Sequence, residues 1–282
     1  MHQTTHKKEN LGVILIVLDG CRPDGITNAQ TPTLDWVMAN GARHLKARTT
    51  FPTISFPCHL SMLYGVKPHR IGIYGNYSAQ IKMNCHHSIL DLAHMCGRKV
   101  AALYDWEQLR ELSSPTALDF VYYRRASIDK YASITIASEC AKYIETEKPG
   151  LCFLNLGTID TVGHAQGWMS EAYLNQIGFL DEAVGILIEN MKTADLLNSY
   201  HILILADHGG IGRDHGGQTD EEMNIPWMII GPGIKCGYEI VAEVSICDTA
   251  PTVAHLLQLP IQGAWQGKVV TEIFSANRCN DL

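Results

Sequence analysis

The run Leu11-Gly-Val-Ile-Leu-Ile-Val-Leu18, closed by Asp19-Gly20, decides the fold. An unbroken series of Val, Ile and Leu is what a strand buried on both faces requires, and such strands belong to parallel sheets. The run is too short to span a membrane and lacks the small-residue cleavage site of a leader. Similar runs follow at Lys99–Leu103, Gly150–Leu156, Tyr200–Ala206 and Ile225–Ile230. Helical periodicity lies between them. Thr33–Asn40 is opened by Thr31-Pro32 and closed by Gly41, and Ile128–Glu147 and Glu171–Met191 are long and amphipathic. Asp248–Leu257 has Asp248 as an N-cap. This alternation predicts an α/β fold with a mostly parallel central sheet and helices on both faces, in a single domain over 1–282. The least patterned stretches, Arg70–His87 and Asp105–Arg125, are expected to be loops.

With 46% hydrophobic and 18% charged residues, the 282-residue chain can build a sizeable core. Its net charge of −7 and the lack of a Lys/Arg run argue against a grip on a nucleic-acid polymer or a membrane surface. An anionic ligand would need a local source of positive charge, which bound cations would supply. Nine Cys without a CxxC pair suggest reduced thiols and a cytoplasmic protein.

In sheets of this class, ligands bind beyond the carboxyl ends of the strands. Asp19 directly follows the first run, Asp160 and His164 follow the run Gly150–Leu156, and Asp207 and His208 follow Tyr200–Ala206. Three strands thus end in carboxylates or imidazoles. Asp160-Thr-Val-Gly-His164 places an oxygen and a nitrogen ligand on one helical face, a spacing that suits Zn²⁺. Alone it would equally be a helix cap with an incidental His. Asp207-His208-Gly209-Gly210 can turn both side chains inward because glycine frees the backbone. Asp207-His208 alone would pass for a polar turn, Asp19 for a turn former, and His215 for a surface residue. Ser55 stands before the helical stretch His59–Leu63, among unpaired N–H groups that would favour an alkoxide. An N-cap role is its ordinary alternative. Together these groups suit a two-metal site for in-line displacement.

With these residues placed, the chain resembles the alkaline phosphatase superfamily, and within it the nucleotide pyrophosphatase/phosphodiesterase branch. The likeness runs from about residue 11 to 274. It is carried in order by Val17-Leu-Asp19-Gly20, Thr31-Pro-Thr-Leu-Asp35, Pro52-Thr-Ile-Ser55-Phe-Pro-Cys-His59 and Leu60-Ser-Met-Leu-Tyr-Gly65. Asp160-Thr-Val-Gly-His164, Ala206-Asp207-His208-Gly209, His215-Gly216 and the segment Asp248–Leu257 complete it.

The resemblance implies two divalent metal ions, zinc first, with manganese or iron as alternatives. Asp160, His164 and His215 would hold one. Asp19, Asp207 and His208 would hold the other, with the Ser55 oxygen also bound. Ser55 would be the nucleophile, with Thr53 as second choice. Asn76, in Gly72-Ile-Tyr-Gly-Asn76, would support the phosphoryl oxygens, and Phe56 would stack on a nucleobase. The substrate expected is a small phosphate ester, a diester or nucleotide pyrophosphate bond. A monoester, a phosphonate or a silent metal-binding protein are the alternatives. Arg22 and Arg48 are the candidates for meeting a monoester's extra charge. The chain departs from the branch in having Ser55 where Thr is common, Cys58 where Asn is usual, and only a short gap between His208 and His215. The sulfatase signature is not met, because its Arg and its modified Cys are missing.

Overall fold

A computed structural model describes residues 12–77, 87–126 and 131–275. Its elements in chain order are β1 (Gly12–Leu18), α1 (Pro23–Asn28), α2 (Pro32–Asn40), β2 (Ala42–Arg48), α3 (Ser55–Tyr64), α4 (Pro68–Ile71) and α5 (Ile89–Met95). Next come β3 (Val100–Tyr104), β4 (Phe120–Tyr123), α6 (Ala132–Glu147), β5 (Leu151–Leu156), α7 (Thr158–Gln166) and α8 (Glu171–Thr193). The series closes with β6 (Tyr200–Leu205), α9 (Asp220–Met223), β7 (Asn224–Ile230), β8 (Tyr238–Glu239) and α10 (Thr249–Leu256).

The strands form one eight-stranded sheet in the order β4-β3-β5-β1-β6-β7-β2-β8. As its composition implied, β1 is central, and residues 13–18 are fully buried. It runs parallel to β5 and β6. Two helix groups cover the sheet. One packs α6 on α8 and α8 on α2, and the other packs α10 on α3 and α3 on α5. The sheet is mixed, because β7 is antiparallel to both neighbours. A parallel neighbour needs a crossover back to the sheet's other end. The chain from Ala206 to Met223 instead folds over the carboxyl ends, so β7 returns in the opposite direction.

Register positions the rest. Leu18 pairs with Leu156, and Val17 pairs with Leu205, so the chain leaves β1, β5 and β6 at one level. Leu103 pairs with Leu154, which brings the end of β3 to the same rim.

Three elements differ from the sequence reading. The stretch Asp105–Arg125 contains an edge strand, β4, as well as loops. For the helix expected at Ile128–Glu147, residues 128–130 lie outside the described residues, and α6 covers the remainder. Asp248 holds the N-cap position of α10, yet its carboxylate accepts from Ser245 N (2.9 Å) and Lys268 N (2.8 Å).

Candidate metal centre

The rim where β1, β5 and β6 end carries the expected carboxylates. Asp19 leaves β1, Asp160 sits in the first turn of α7, and Asp207 follows β6. All three approach one another because Gly20 takes a left-handed turn at φ 75°. A Cβ there would lie 3.0 Å from Asp160 Oδ1, so only glycine lets β1 and α7 close together. Trp168 Nε1 and Tyr173 Oη both donate to the Gly20 carbonyl, at 2.9 and 2.8 Å, and hold the turn.

Three imidazoles face these carboxylates with the same ring nitrogen. His164 Nδ1 donates to Arg213 O (3.0 Å), His208 Nδ1 to Gly209 O (2.8 Å) and His215 Nδ1 to Thr53 O (2.6 Å). A carbonyl can only accept, so each Nδ1 carries a proton and Nε2 is the nitrogen left to face an ion. His208 Nε2 lies 3.2 Å from Asp207 Oδ2 and 3.7 Å from Asp19 Oδ1. His164 Nε2 and His215 Nε2 lie 3.6 and 3.8 Å from Asp160 Oδ1. They are 3.1 Å from each other, a hydrogen-bond distance when one of the two carries a proton.

The arrangement fits cations. Asp19 Oδ1, Asp160 Oδ1 and Asp207 Oδ2 are buried and have no hydrogen-bond partner. Native proteins rarely leave such atoms unsatisfied. Meanwhile Asp207 Oδ1 accepts from Gly20 N at 3.0 Å, so one oxygen is fixed and the other is left for an ion. Burial first, and Asp207 second, push the Asp19 carboxyl up to about 6. Burial likewise raises Asp160 and Asp207. Burial and then His208 lower His215 to about 3, and burial lowers His208. Crowded acids and neutral imidazoles are the state that a divalent cation relieves. Asp160, His164 and His215 form one group whose ligand atoms are close enough together to hold an ion. The overlapping triads Asp19–Asp160–His208 and Asp19–His59–Asp207 lie beside it.

Ser55 adjoins this centre. It is the first residue of α3, with Ile54 as N-cap, and makes no capping bond. Its Oγ instead lies 3.0 Å from His208 Nε2. Asn76 Oδ1 accepts from Phe56 N at 3.0 Å, which leaves the Asn76 amide hydrogens for the cavity that it lines. Phe56 sits differently from the expectation. It is 1% exposed and packs edge-on against Trp106, so its ring does not line the cavity. The second residue of a helix points away from the first, and here the second points into the core. Thr53, the second-choice nucleophile, is spent on the His215 loop. Its hydroxyl donates to Gly217 O and accepts from Gly216 N, both at 2.9 Å. Arg22 is tied to Asp24 and Gly210 O, and Arg48 to Asp220 and Asn224.

Three residues escaped the sequence reading: His59, Asn155 and Asp105. Asp105 directly follows β3, so the strand-end rule that singled out Asp19 would have found it. His59 and Asn155 lie on a helix and a strand among apolar neighbours and read as core. Both His59 nitrogens face acceptors, Ser55 O and Asn155 Oδ1, each at 2.8 Å. Burial opposes charge on this ring, but Asp207 and Asp19 outweigh it and hold its pKa above the ordinary value. A ring that keeps both protons has no lone pair for a metal, so His59 serves here as a counter-charge rather than a ligand.

The cavity, about 460 Å³, has a second wall beyond the metal ligands. Asp105, Trp106, Glu107, Gln108, Tyr123 and Arg125 form it, from the ends of β3 and β4. Arg125 is the one Lys or Arg among the described residues lining it.

Known proteins resemble this chain in sequence and in fold. Over 215 residues the chain is 25% identical to ectonucleotide pyrophosphatase/phosphodiesterase family member 3 of Rattus norvegicus, covering 70% of this chain and 24% of that protein. It is 27% identical over 222 residues to venom phosphodiesterase 2 of Crotalus adamanteus, covering 71% and 27%. The chain therefore spans about a quarter of the length of these relatives. Among solved structures, murine ectonucleotide pyrophosphatase/phosphodiesterase 5, as an inactive variant with AMP, superposes with a TM-score of 0.78 at 16% identity, over 94% of this chain and 100% of that one. A 2-O GAG sulfatase superposes with a TM-score of 0.74 at 16% identity, over 93% and 73%, a likeness of fold alone. The sequence profile described as type I phosphodiesterase / nucleotide pyrophosphatase matches residues 13–221, and the chain belongs to that family.

Proposed function

We propose that the chain is a two-metal hydrolase of phosphodiester or nucleotide pyrophosphate bonds, acting through a phosphoseryl intermediate on Ser55. The observation that carries this reading is the set of three buried carboxylate oxygens without partners, facing imidazole Nε2 atoms beside the Ser55 hydroxyl. Asp160, His164 and His215 would hold one cation, and Asp19, Asp207 and His208 the other. When bound, the cations would lower the pKa of the Ser55 hydroxyl and offset the charge of the phosphate and of the leaving oxygen. Ser55 Oγ forms the new bond to phosphorus as the leaving alkoxide or phosphate departs on the opposite side. Water then cleaves the phosphoseryl ester and frees a phosphomonoester or phosphate. Asn76, its amide set by Phe56 N–H, donates to the non-bridging oxygens. Zinc is the first choice of metal from the mixed oxygen and nitrogen donors, with manganese or iron next.

The diester reading is favoured over the monoester one because Arg22 and Arg48 are both committed elsewhere. The wall from β3 and β4 would receive the rest of the substrate, with Trp106 and Tyr123 against a planar base and Arg125 beside a further phosphate. The AMP complex of the murine neighbour is consistent with a nucleotide substrate. A reducing compartment belongs to the same reading, since Cys21, Cys58, Cys140, Cys152 and Cys247 are buried thiols. Purified protein should carry zinc and cleave bis-(p-nitrophenyl) phosphate faster than p-nitrophenyl phosphate. Faster turnover of the monoester would overturn the diester assignment, and the lack of any turnover with metal bound would favour the silent protein.

A further inference from the structure

Behind the metal carboxylates lies a buried chain of polar side chains that the proposed reaction does not use. Asp105 is 3% exposed, and Asn155 and His59 are fully buried. Asn155, in β5, is the hub. Its Nδ2 donates to Asp105 Oδ1 at 3.0 Å and reaches Asp19 Oδ2 at 3.4 Å. Both amide hydrogens are thus turned toward carboxylates, which fixes Oδ1 on the other side. There it accepts from His59 Nε2 at 2.8 Å, while His59 Nδ1 donates to the Ser55 carbonyl at 2.8 Å. Asp105 Oδ2 accepts from Gly157 N at 2.6 Å. A Cβ on Gly157 would lie 2.9 Å from Asp105 Oδ1, so glycine is what lets this bond form.

Each end of the chain holds a part of the reaction centre. Gly157 is the N-cap of α7, which carries Asp160 and His164. Asn155 engages one oxygen of Asp19, and it is the other that has no partner. His59 holds the backbone of Ser55. Apolar packing alone would leave α3 free to slip slightly against the sheet, whereas buried directional bonds resist this.

We propose that Asn155 is a positioning residue, which through Asp105 and His59 sets the nucleophile's helix in register with the metal-ligating strand ends. The proposal rests on the reading of Ser55 as nucleophile. A misplacement of about 1 Å is enough to cost on the order of 10²-fold in rate.

The test is a double-mutant cycle of Asn155→Leu and His59→Gln in the full chain, with Asp105→Asn as a further variant. Turnover of bis-(p-nitrophenyl) phosphate, melting temperature and zinc affinity, the last by competition with a chromophoric chelator, are read on each. Asn155→Leu should lower kcat by about 10- to 100-fold with little change in KM. The double variant should lose no more than the larger single one, since both act through one chain. Wild-type kcat in folded, zinc-loaded Asn155→Leu, additive losses, or a fall in melting temperature alone would each overturn the proposal. If Asn155→Leu does not fold, Asp105→Asn with His59→Gln forms the cycle, read by the same criteria. If the wild type turns over no ester, the reading of Ser55 fails separately. The chain is then judged on zinc affinity, which Asn155→Leu should weaken by about 10-fold and which must change for the proposal to stand.

Discussion

The two walls of the cavity are built in different ways. In the wall from β1, β5 and β6, Asp19, Asp207 and His208 are buried, Asp160 and His215 are half-buried and His164 is exposed at the mouth, yet the imidazoles are all locked by backbone carbonyls and the carboxylate oxygens point at one another. The wall from β3 and β4 ends in Tyr123 and Arg125, both exposed, beside partly buried Trp106. A group that must ionise, hold a cation or attack phosphorus needs exact placement, so it is drawn from the ends of central strands of fixed register. A group that only greets the variable part of a substrate tolerates the sheet edge. On the proposed reading, chemistry belongs to the first wall and selectivity to the second.

The sharpest way to break this contrast is Ser55→Ala. Turnover should fall by at least about 10³-fold while zinc still binds, and a near-wild-type rate would remove Ser55 from the mechanism. Asp160→Ala should come next. It strips a ligand from the Asp160–His164–His215 triad and should weaken one of two metals by at least about 10²-fold, read by elemental analysis after dialysis. Two metals retained would show that the triad is not a site. Phe56→Ala tests the boundary between the walls. As a buried ring it should cost about 3–5 kcal/mol of stability and leave KM for a nucleotide ester nearly unchanged. A KM effect without destabilisation would return Phe56 to the substrate. Arg125→Ala should be the smallest mutational effect. An exposed ion pair contributes about 1 kcal/mol, so kcat/KM on a nucleotide pyrophosphate should fall roughly five-fold, with the simple diester spared. Equal losses on both would place Arg125 in the chemistry.

A pH series sharpens the same comparison. Burial raises Asp19 to about 6 and Asp105 to about 7, from 3.8. A folded-state pKa above the unfolded one stabilises the fold at low pH, and that contribution is lost as pH rises through the folded value. His215, lowered from 6.5 to about 3, works the other way, but most of its gain is made below pH 6.5 and only a small remainder extends to about pH 7.5. Between about pH 6.5 and 7.5 the carboxylate loss remains, so metal-free protein should melt at a lower temperature at the higher pH. Zinc should reverse the trend, since its ligands must be deprotonated. A metal-free melting temperature that rises across this interval would contradict the burial of these acids.

What the sequence by itself determined is the central layer and the polar residues that stand at its strand ends. Leu11–Leu18, Gly150–Leu156 and Tyr200–Ala206 are apolar but for Asn155 and His201, and the residues that follow them are carboxylates or imidazoles, so pattern and polarity together marked Asp19, Asp160, His164, Asp207 and His208. β2 and β4 were not legible. β2 carries Arg43, His44, Lys46 and Arg48, and β4 is a four-residue edge strand inside an irregular stretch, so neither shows the apolar run of a central strand. His215 was named from the family likeness and not from a strand end; the tertiary structure brings it to the rim, because the bond from its Nδ1 to Thr53 O closes a loop that sequence distance does not constrain. It also decided that Phe56 faces the core and that His59, Asn155 and Asp105 form one chain behind the metals. A side chain's residue type states which bonds it can make. Which of them it makes depends on how helix and sheet are set against each other, and that is settled by packing between segments far apart in the chain.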